Sequence, residues 1–327
     1  MADLAPGVVT LFGGSGFIGS QAVRALARRG WRIRVAVRNP VLAIEVQPLG
    51  DPGQIQFMRC DVTNPDDVAR ALRGSDALVN LVGVLHDGGK RRGFQAIHVE
   101  AARIIAEAAR AAGVRRVVQI SAIGAAADSP SAYARSKAQA EQEIRAVHPD
   151  AVVLRPSLVF GAGDGFLNRF ASMATFSPVL PLIGGGETRF QPVYVGDVAE
   201  AIARAVVQGA AAGQTYELGG PSVWTFREVL ELVKRETGRD RLLASVPFVV
   251  ARPLGAVLEM VGLFGLTPPL TRDQVLMLQV DNVVAPGAAT LADLGVVHPT
   301  GMEAIAPSYL WRYRTGGQFA QLPALDA

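Results

Sequence analysis

In the stretch "SAYARSK", Tyr133 stands four residues before Lys137. Lysine is scarce. Lys90, Lys137 and Lys234 are the only lysines among 32 Lys and Arg, so arginine is the default cation of this chain. Positions i and i+4 share one face of a helix. An ammonium beside a phenol favours the phenolate and lowers its pKa. A tyrosine so placed can give or take a proton near neutral pH. Ser121 closes the preceding apolar run "RRVVQIS" and could bond the same substrate oxygen. The alternative is an ordinary couple on a solvated helix face.

A second constellation lies in "VVTLFGGSGFIGS", residues 8–20. Gly13, Gly16 and Gly19 follow an apolar run and open an amphipathic one, and the stretch also reads G-x-G-x-x-G through Gly14. One glycine permits the tight turn, another lets the backbone approach a pyrophosphate, and the last lets helix and strand pack closely. The N–H groups and dipole of the following helix then hold the phosphates. The strand–turn–helix context gives the spacing its weight. It nominates Gly13, Ser15, Gly16, Phe17, Ile18 and Gly19 as dinucleotide-binding positions. Phe17 stands where a nucleophile elbow needs glycine, which excludes that reading of "GGSGF". The next apolar run, "RIRVAV", is followed by Arg38 with no acid nearby. An acid there would bond a ribose 2′-hydroxyl, whereas a cation suits a 2′-phosphate, which the arginine fork takes bidentately. The expected cofactor is therefore NADP(H). Asp61 and Val62, in "CDVT", are expected at the adenine edge. With a nucleotide in the site, Lys137 acquires a second task, because a compact ammonium can bond ribose hydroxyls where a planar guanidinium fits poorly.

The elements that must carry these residues alternate. Short β-branched runs at 8–12, 32–37, 55–58, 77–82, 115–121 and 151–155 read as strands. Amphipathic stretches at 17–29, 65–73, 94–112 and 131–147 read as helices. Asn64 before Pro65, with Asp66 and Asp67 in the first turn, supplies cap chemistry. Strands alternating with helices of this length imply βαβ units. The fold class is α/β, a doubly wound Rossmann-type parallel sheet with a smaller, mostly helical C-terminal lobe. The nucleotide domain is expected over 1–161 and about 190–220, with "QPVYV" and 197–208 returning to it as a strand–helix unit. The lobe takes about 162–189 and 221–327, and Thr271 with Gln274 offers a capping box inside it.

Composition narrows the classes. Net charge is +3, carried by scattered arginines, and Lys90-Arg91-Arg92 among glycines reads as a solvated loop. No basic stripe is interleaved with aromatics, so nucleic acid is not an expected partner. Cys60 is a lone cysteine, and the four histidines lack metal-ligand spacing, so no disulfide or metal centre is expected. "MADLAPGVVTLFGG" lacks a basic n-region and runs straight into a strand, which argues against a signal or transit peptide. The expected location is cytoplasmic. The apolar segment 246–266 is interrupted by Arg252, Pro253 and Glu259. It is a poor membrane span, and reads either as a buried helix or as one that docks on a membrane surface.

The glycine turn, Ser121 and Tyr133-x-x-x-Lys137 together resemble the short-chain dehydrogenase/reductase superfamily in its extended or atypical form, over residues 8 to about 220. The resemblance implies Tyr133 as acid/base, Lys137 as its partner and ribose anchor, and Ser121 as the orienting hydroxyl. It also implies Leu81, Val82 and Gly83 along the nucleotide, and Pro156 and Leu158 beside the nicotinamide. "FGAGDGFLNRFASM" (160–173) and "QPVYVGDVA" (191–199) resemble the dehydrogenase-like accessory subunits of respiratory complex I and their bacterial relatives. That family is regarded as holding NADPH tightly while serving assembly or structure near the quinone site, and a related branch is associated with coenzyme Q biosynthesis. The implied function is an NADP(H)-binding accessory or assembly subunit of complex I or a quinone-related complex. It would be peripheral on the cytoplasmic face of the inner membrane. Two alternatives stand beside it: an active NADP(H)-dependent reductase of a quinone-like or isoprenoid substrate, and a sugar-nucleotide epimerase or dehydratase.

Overall fold

The computed structural model describes residues 2–87, 89, 93–259, 268 and 270–319. Six strands, β1 (Val8–Phe12), β2 (Arg32–Val37), β3 (Ile55–Arg59), β4 (Ala77–Asn80), β5 (Arg116–Ile120) and β6 (Val152–Pro156), join Thr215–Leu218 in one sheet. Its order is Thr215–Leu218, β6, β5, β4, β1, β2, β3, and every neighbouring pair is parallel. All residues of β4 and β5 are buried, as befits parallel strands covered on both faces, and their amide side chains Asn80 and Gln119 bond each other at 2.8 Å. The order reverses at β1, which pairs β2 on one side and β4 on the other. That switch point opens a crevice at the carboxyl ends of the strands.

The described α-helices of six or more residues are α1 (Phe17–Ala27), α2 (Pro65–Leu72), α3 (Ala101–Ala111), α4 (Ala132–Val147), α5 (Leu167–Phe176), α6 (Val195–Val207), α7 (Phe226–Thr237), α8 (Phe248–Glu259) and α9 (Arg272–Met277). Their starts follow local chemistry. Asn64 accepts the Asp66 N–H at 3.0 Å to open α2, and Ser131 accepts the Ala134 N–H at 3.2 Å to open α4. Thr225 with Glu228 and Thr271 with Gln274 form capping boxes on α7 and α9. One face of the sheet packs Phe12, Ala36 and Leu78 against Val68 and Leu72 of α2 and Ile105 of α3. Truncating a buried leucine in such a layer typically costs about 2–5 kcal/mol.

The chain forms two compact units: Met1–Pro156, Val195–Leu218 and Val284–His298, then Ser157–Tyr194, Gly219–Val283 and Pro299–Ala327. In the second unit, α5 and α7 pack around rings of Phe166, Phe170, Phe190 and Phe226, with Phe166 and Phe170 centred 5.2 Å apart. Its helices are joined by three two-stranded pairs, of which Val179–Ile183 with Leu242–Val246 is the longest. The strand–helix unit expected from "QPVYV" is divided. Val193–Tyr194 pairs with Val159–Phe160 inside the second unit, and α6 begins at the next residue in the first. The sheet is extended instead by Thr215–Leu218. Along it lies the loop 284–298, held by Glu217 N–H to the Ala289 carbonyl at 2.8 Å and by Ala285 N–H to the Glu217 carboxylate at 2.8 Å.

Of the apolar segment 246–266, residues 260–266 fall outside the described residues. In α8, Ala251 and Gly255 face inward, and a Cβ on Gly255 would lie 3.1 Å from the Thr271 backbone. Val249 is 82% exposed and Val257 62% exposed, with Val250 and Leu254 also outward. Among the described residues, no helix is long and apolar enough to cross a membrane.

Candidate functional site

After β1 the chain reverses at Gly13, whose φ of 79° lies in the left-handed region. A Cβ on Gly19 would stand 2.3 Å from the Gly13 carbonyl oxygen and 2.7 Å from Gly14 Cα. Gly19 is therefore the close-packing glycine. Gly16 differs, because a Cβ there would meet only the Gly13 carbonyl oxygen, at an ordinary 3.4 Å. The protein's own packing does not exclude a side chain at Gly16; a ligand approaching the backbone would. Gly16 is also the first boundary of α1, which has no side-chain cap and no acid in its first turn. Its leading N–H groups and dipole are left to an anion. Ser15 is exposed here, and Phe17 and Ile18 are half-buried.

The segment after β4 continues this lining. A Cβ on Gly13 would come within 3.3 Å of the Leu81 backbone and 3.4 Å of the Val82 nitrogen. One on Gly83 would stand 3.1 Å from Lys137 Nζ. Gly13, Leu81, Val82, Gly83 and Lys137 thus form one continuous surface within the first unit.

Lys137 lies on α4, 5% exposed, with Nζ 5.8 Å from the centroid of the Tyr133 ring. Its ammonium donates to the Ile120 carbonyl at 3.4 Å, a long bond. Burial pushes its pKa down to about 8, against the pull of Glu141. One turn further along α4, Glu141 takes Nε and Nη2 of Arg155 at 2.9 and 2.7 Å, which ties the helix to β6. Ser121, one residue beyond β5, is 3% exposed, and its Oγ has no hydrogen-bond partner among the described residues. A buried hydroxyl left so costs about 1–3 kcal/mol. An under-bonded ammonium, an orphaned hydroxyl and an open glycine backbone fit a polar ligand with phosphates and hydroxyls.

The other expected positions are dispersed. Arg38 is exposed just past β2. Asp61, past β3, is engaged locally, accepting from Thr63 N at 3.0 Å and Thr63 Oγ1 at 2.8 Å; Val62 is buried. Pro156 is buried at the end of β6, whereas Leu158 belongs to the second unit. Two residues escape sequence reasoning. Arg59, exposed at the end of β3, is the register partner of Val37 and so stands next to the Arg38 strand end. His98 is buried beside Tyr133, with ring centroids 5.6 Å apart. The motif around Asp164 proves structural. Its carboxylate accepts N–H bonds from Gly161, Phe166, Leu167 and Asn168 at 2.7–3.2 Å and the Tyr309 hydroxyl at 2.6 Å, which caps α5. Among the described residues, no group of His, Cys, Asp and Glu could hold a metal ion.

A Rossmann sheet with a glycine turn at its switch point is the architecture of dinucleotide-binding proteins. The chain belongs to the NAD dependent epimerase/dehydratase family, whose pattern matches residues 9–219. It is 34% identical over 310 residues to NADH dehydrogenase (ubiquinone) 1 alpha subcomplex subunit 9, mitochondrial, of Mus musculus, covering 94% of this chain and 81% of that protein. It is 35% identical over 199 residues to a ceramide reductase of Caulobacter vibrioides, covering 61% of each. Among solved structures it resembles the dTDP-glucose 4,6-dehydratase DesIV of Streptomyces venezuelae with NAD and TYD bound, with a TM-score of 0.71, 22% identity, and coverage of 94% of this chain and 96% of that one. That likeness speaks to the fold. The family is NAD dependent, so the cofactor class that the lining fits is a nicotinamide dinucleotide.

Proposed function

We propose that this protein is an NADP(H)-binding, dehydrogenase-like accessory or assembly subunit of a respiratory NADH:ubiquinone oxidoreductase, complex I. One pairing carries the reading. Relatedness to the alpha subcomplex subunit spans 94% of this chain, and the glycine turn and the buried Lys137 both lie in its first unit. The phosphates would sit on the first turn of α1 over Gly16, the 2′-phosphate on Arg38, and the ribose on Lys137. Leu81, Val82, Gly83 and Pro156 would complete the nucleotide's surroundings, with Asp61 and Val62 at the adenine. The protein would work at the cytoplasmic face of the inner membrane, with the apolar side of α8 against lipid or a membrane-embedded partner. Affinity-tagging the chain in its own cells and solubilising the membranes in mild detergent tests this reading. It expects NADH:ubiquinone oxidoreductase activity to travel with the tag on a native gel. A tag found only in activity-free fractions counts against it.

A second reading is an NADP(H)-dependent reductase, favoured by the complete set of Ser121, Tyr133 and Lys137 and by the ceramide reductase relative. A bound nicotinamide would supply hydride. Tyr133 would give the proton to the substrate oxygen, Lys137 would favour the resulting phenolate, and Ser121 would hold that oxygen. Tyr133→Phe separates the two readings: a subunit keeps its assembly role, and a reductase loses turnover. The sugar-nucleotide alternative has a fold-level likeness behind it, which does not choose a substrate.

A further inference from the structure

His98 uses both ring nitrogens. It lies 3% exposed on a π-helical turn, Gln95–Glu100, that leads into α3. Such turns are rare and often occur at functional sites. Nε2 accepts the Val84 N–H at 2.9 Å, so Nε2 carries no proton. The neutral ring then bears its hydrogen on Nδ1, which lies 2.8 Å from Ser136 Oγ, and the Ser136 hydroxyl donates to the Tyr133 carbonyl at 2.7 Å. The direction of every bond in this chain is fixed by the first, because a backbone N–H can only donate. The ring is also walled by aromatics, stacked on Phe94 at 5.4 Å and edge-on to Tyr133 at 5.6 Å. Burial, and secondarily the charge of Lys137, push the His98 pKa down to about 3, so the neutral ring persists at physiological pH.

We infer that His98 is a positioning residue: a neutral, Nδ1-protonated imidazole that fastens the backbone at Val84 to the helix carrying Tyr133 and Lys137. Residues 81–84 have no regular secondary structure. The Val84 N–H is spoken for by the ring, and the neighbouring Gly83 abuts both Lys137 Nζ and His98 Nε2. Without the strut, the segment and the helix can separate, and the surface they share is lost. The functional half of this inference rests on the nucleotide reading above; the geometric half does not.

The test has two arms. Nitrogen-15 NMR of the unliganded protein at neutral pH should find His98 protonated at Nδ1 and bare at Nε2. The opposite tautomer, or rapid exchange between the two, overturns the strut. The second arm measures NADPH affinity in three variants. His98→Gln keeps an acceptor near the place of Nε2, His98→Asn reaches only the Ser136 side, and His98→Phe reaches neither. We expect His98→Gln to stay near the parent affinity, and His98→Asn and His98→Phe to lose about tenfold, as an orphaned buried N–H implies. Parent-like binding by His98→Asn, or a His98→Gln loss equal to that of His98→Phe, overturns the positioning role. If His98→Phe does not fold, the comparison of Gln with Asn decides. A parent protein that binds no NADPH overturns the nucleotide reading, and the tautomer then decides the strut on its own.

Discussion

Replacing Lys137 by Met should make the unliganded protein more stable at neutral pH while weakening its hold on NADPH. The ammonium is buried and has one long bond, to the Ile120 carbonyl at 3.4 Å. Burial moves its pKa from an ordinary 10.5 to about 8. By linkage, a depression of that size corresponds to about 3 kcal/mol of destabilisation at neutral pH. The sign follows from proton counts. Between about pH 8 and 10.5 the unfolded chain holds a proton that the folded chain has released, so stability rises with pH across that window. Below pH 8 the penalty is present in full. Methionine has similar length and no charge. Urea unfolding at pH 7 should therefore favour Lys137→Met by up to about 3 kcal/mol, with the gap closing as pH approaches 10.5. A variant less stable than the parent at pH 7, or a gap that ignores pH, would refute the idea of a charge kept unpaired for a ligand. NADPH titration of the same variant should find weaker binding, because the ribose anchor is gone.

The two inner glycines of the turn should part company. Gly19→Ala should lower the melting temperature without any ligand, since its Cβ would meet the Gly13 carbonyl oxygen at 2.3 Å. Gly16→Val should melt near the parent temperature and lose the NADPH-induced thermal shift. Arg38→Asp should reverse a preference for NADPH over NADH in fluorescence titration, at a cost to NADPH binding of about 1.5–3 kcal/mol; equal affinities in the parent would defeat the assignment. Val249→Asp with Val257→Asp on the exposed side of α8 should release the protein from washed membranes while leaving the thermal shift with NADPH intact.

The nucleotide half is legible in the sequence because each of its signals is local. A parallel strand buried on both faces leaves a run such as "ALVNLV", and the turn at Gly13 leaves its spacing within one stretch. The cap at Asn64 and the capping box at Thr271 are written in neighbouring residues for the same reason. What escapes depends on register or on distant pairing. Residues 94–112 read as one helix, and nothing in that pattern marks the π turn that brings His98 to Val84. Arg59 gains meaning only from its register with Val37. The loop 284–298 has no strand or helix period, yet it lies along Thr215–Leu218 through backbone bonds to Glu217. The acid in "FGAGDGF" carries a recognisable motif, but its partners reveal a helix cap rather than chemistry.

Nucleotide binding itself is read by native mass spectrometry of the purified protein. One NADP(H) per chain is expected, either retained through purification or acquired on brief incubation with NADPH, and lost in Gly16→Val. A parent chain that stays at its unliganded mass after incubation, under conditions where its melting is cooperative, would contradict it.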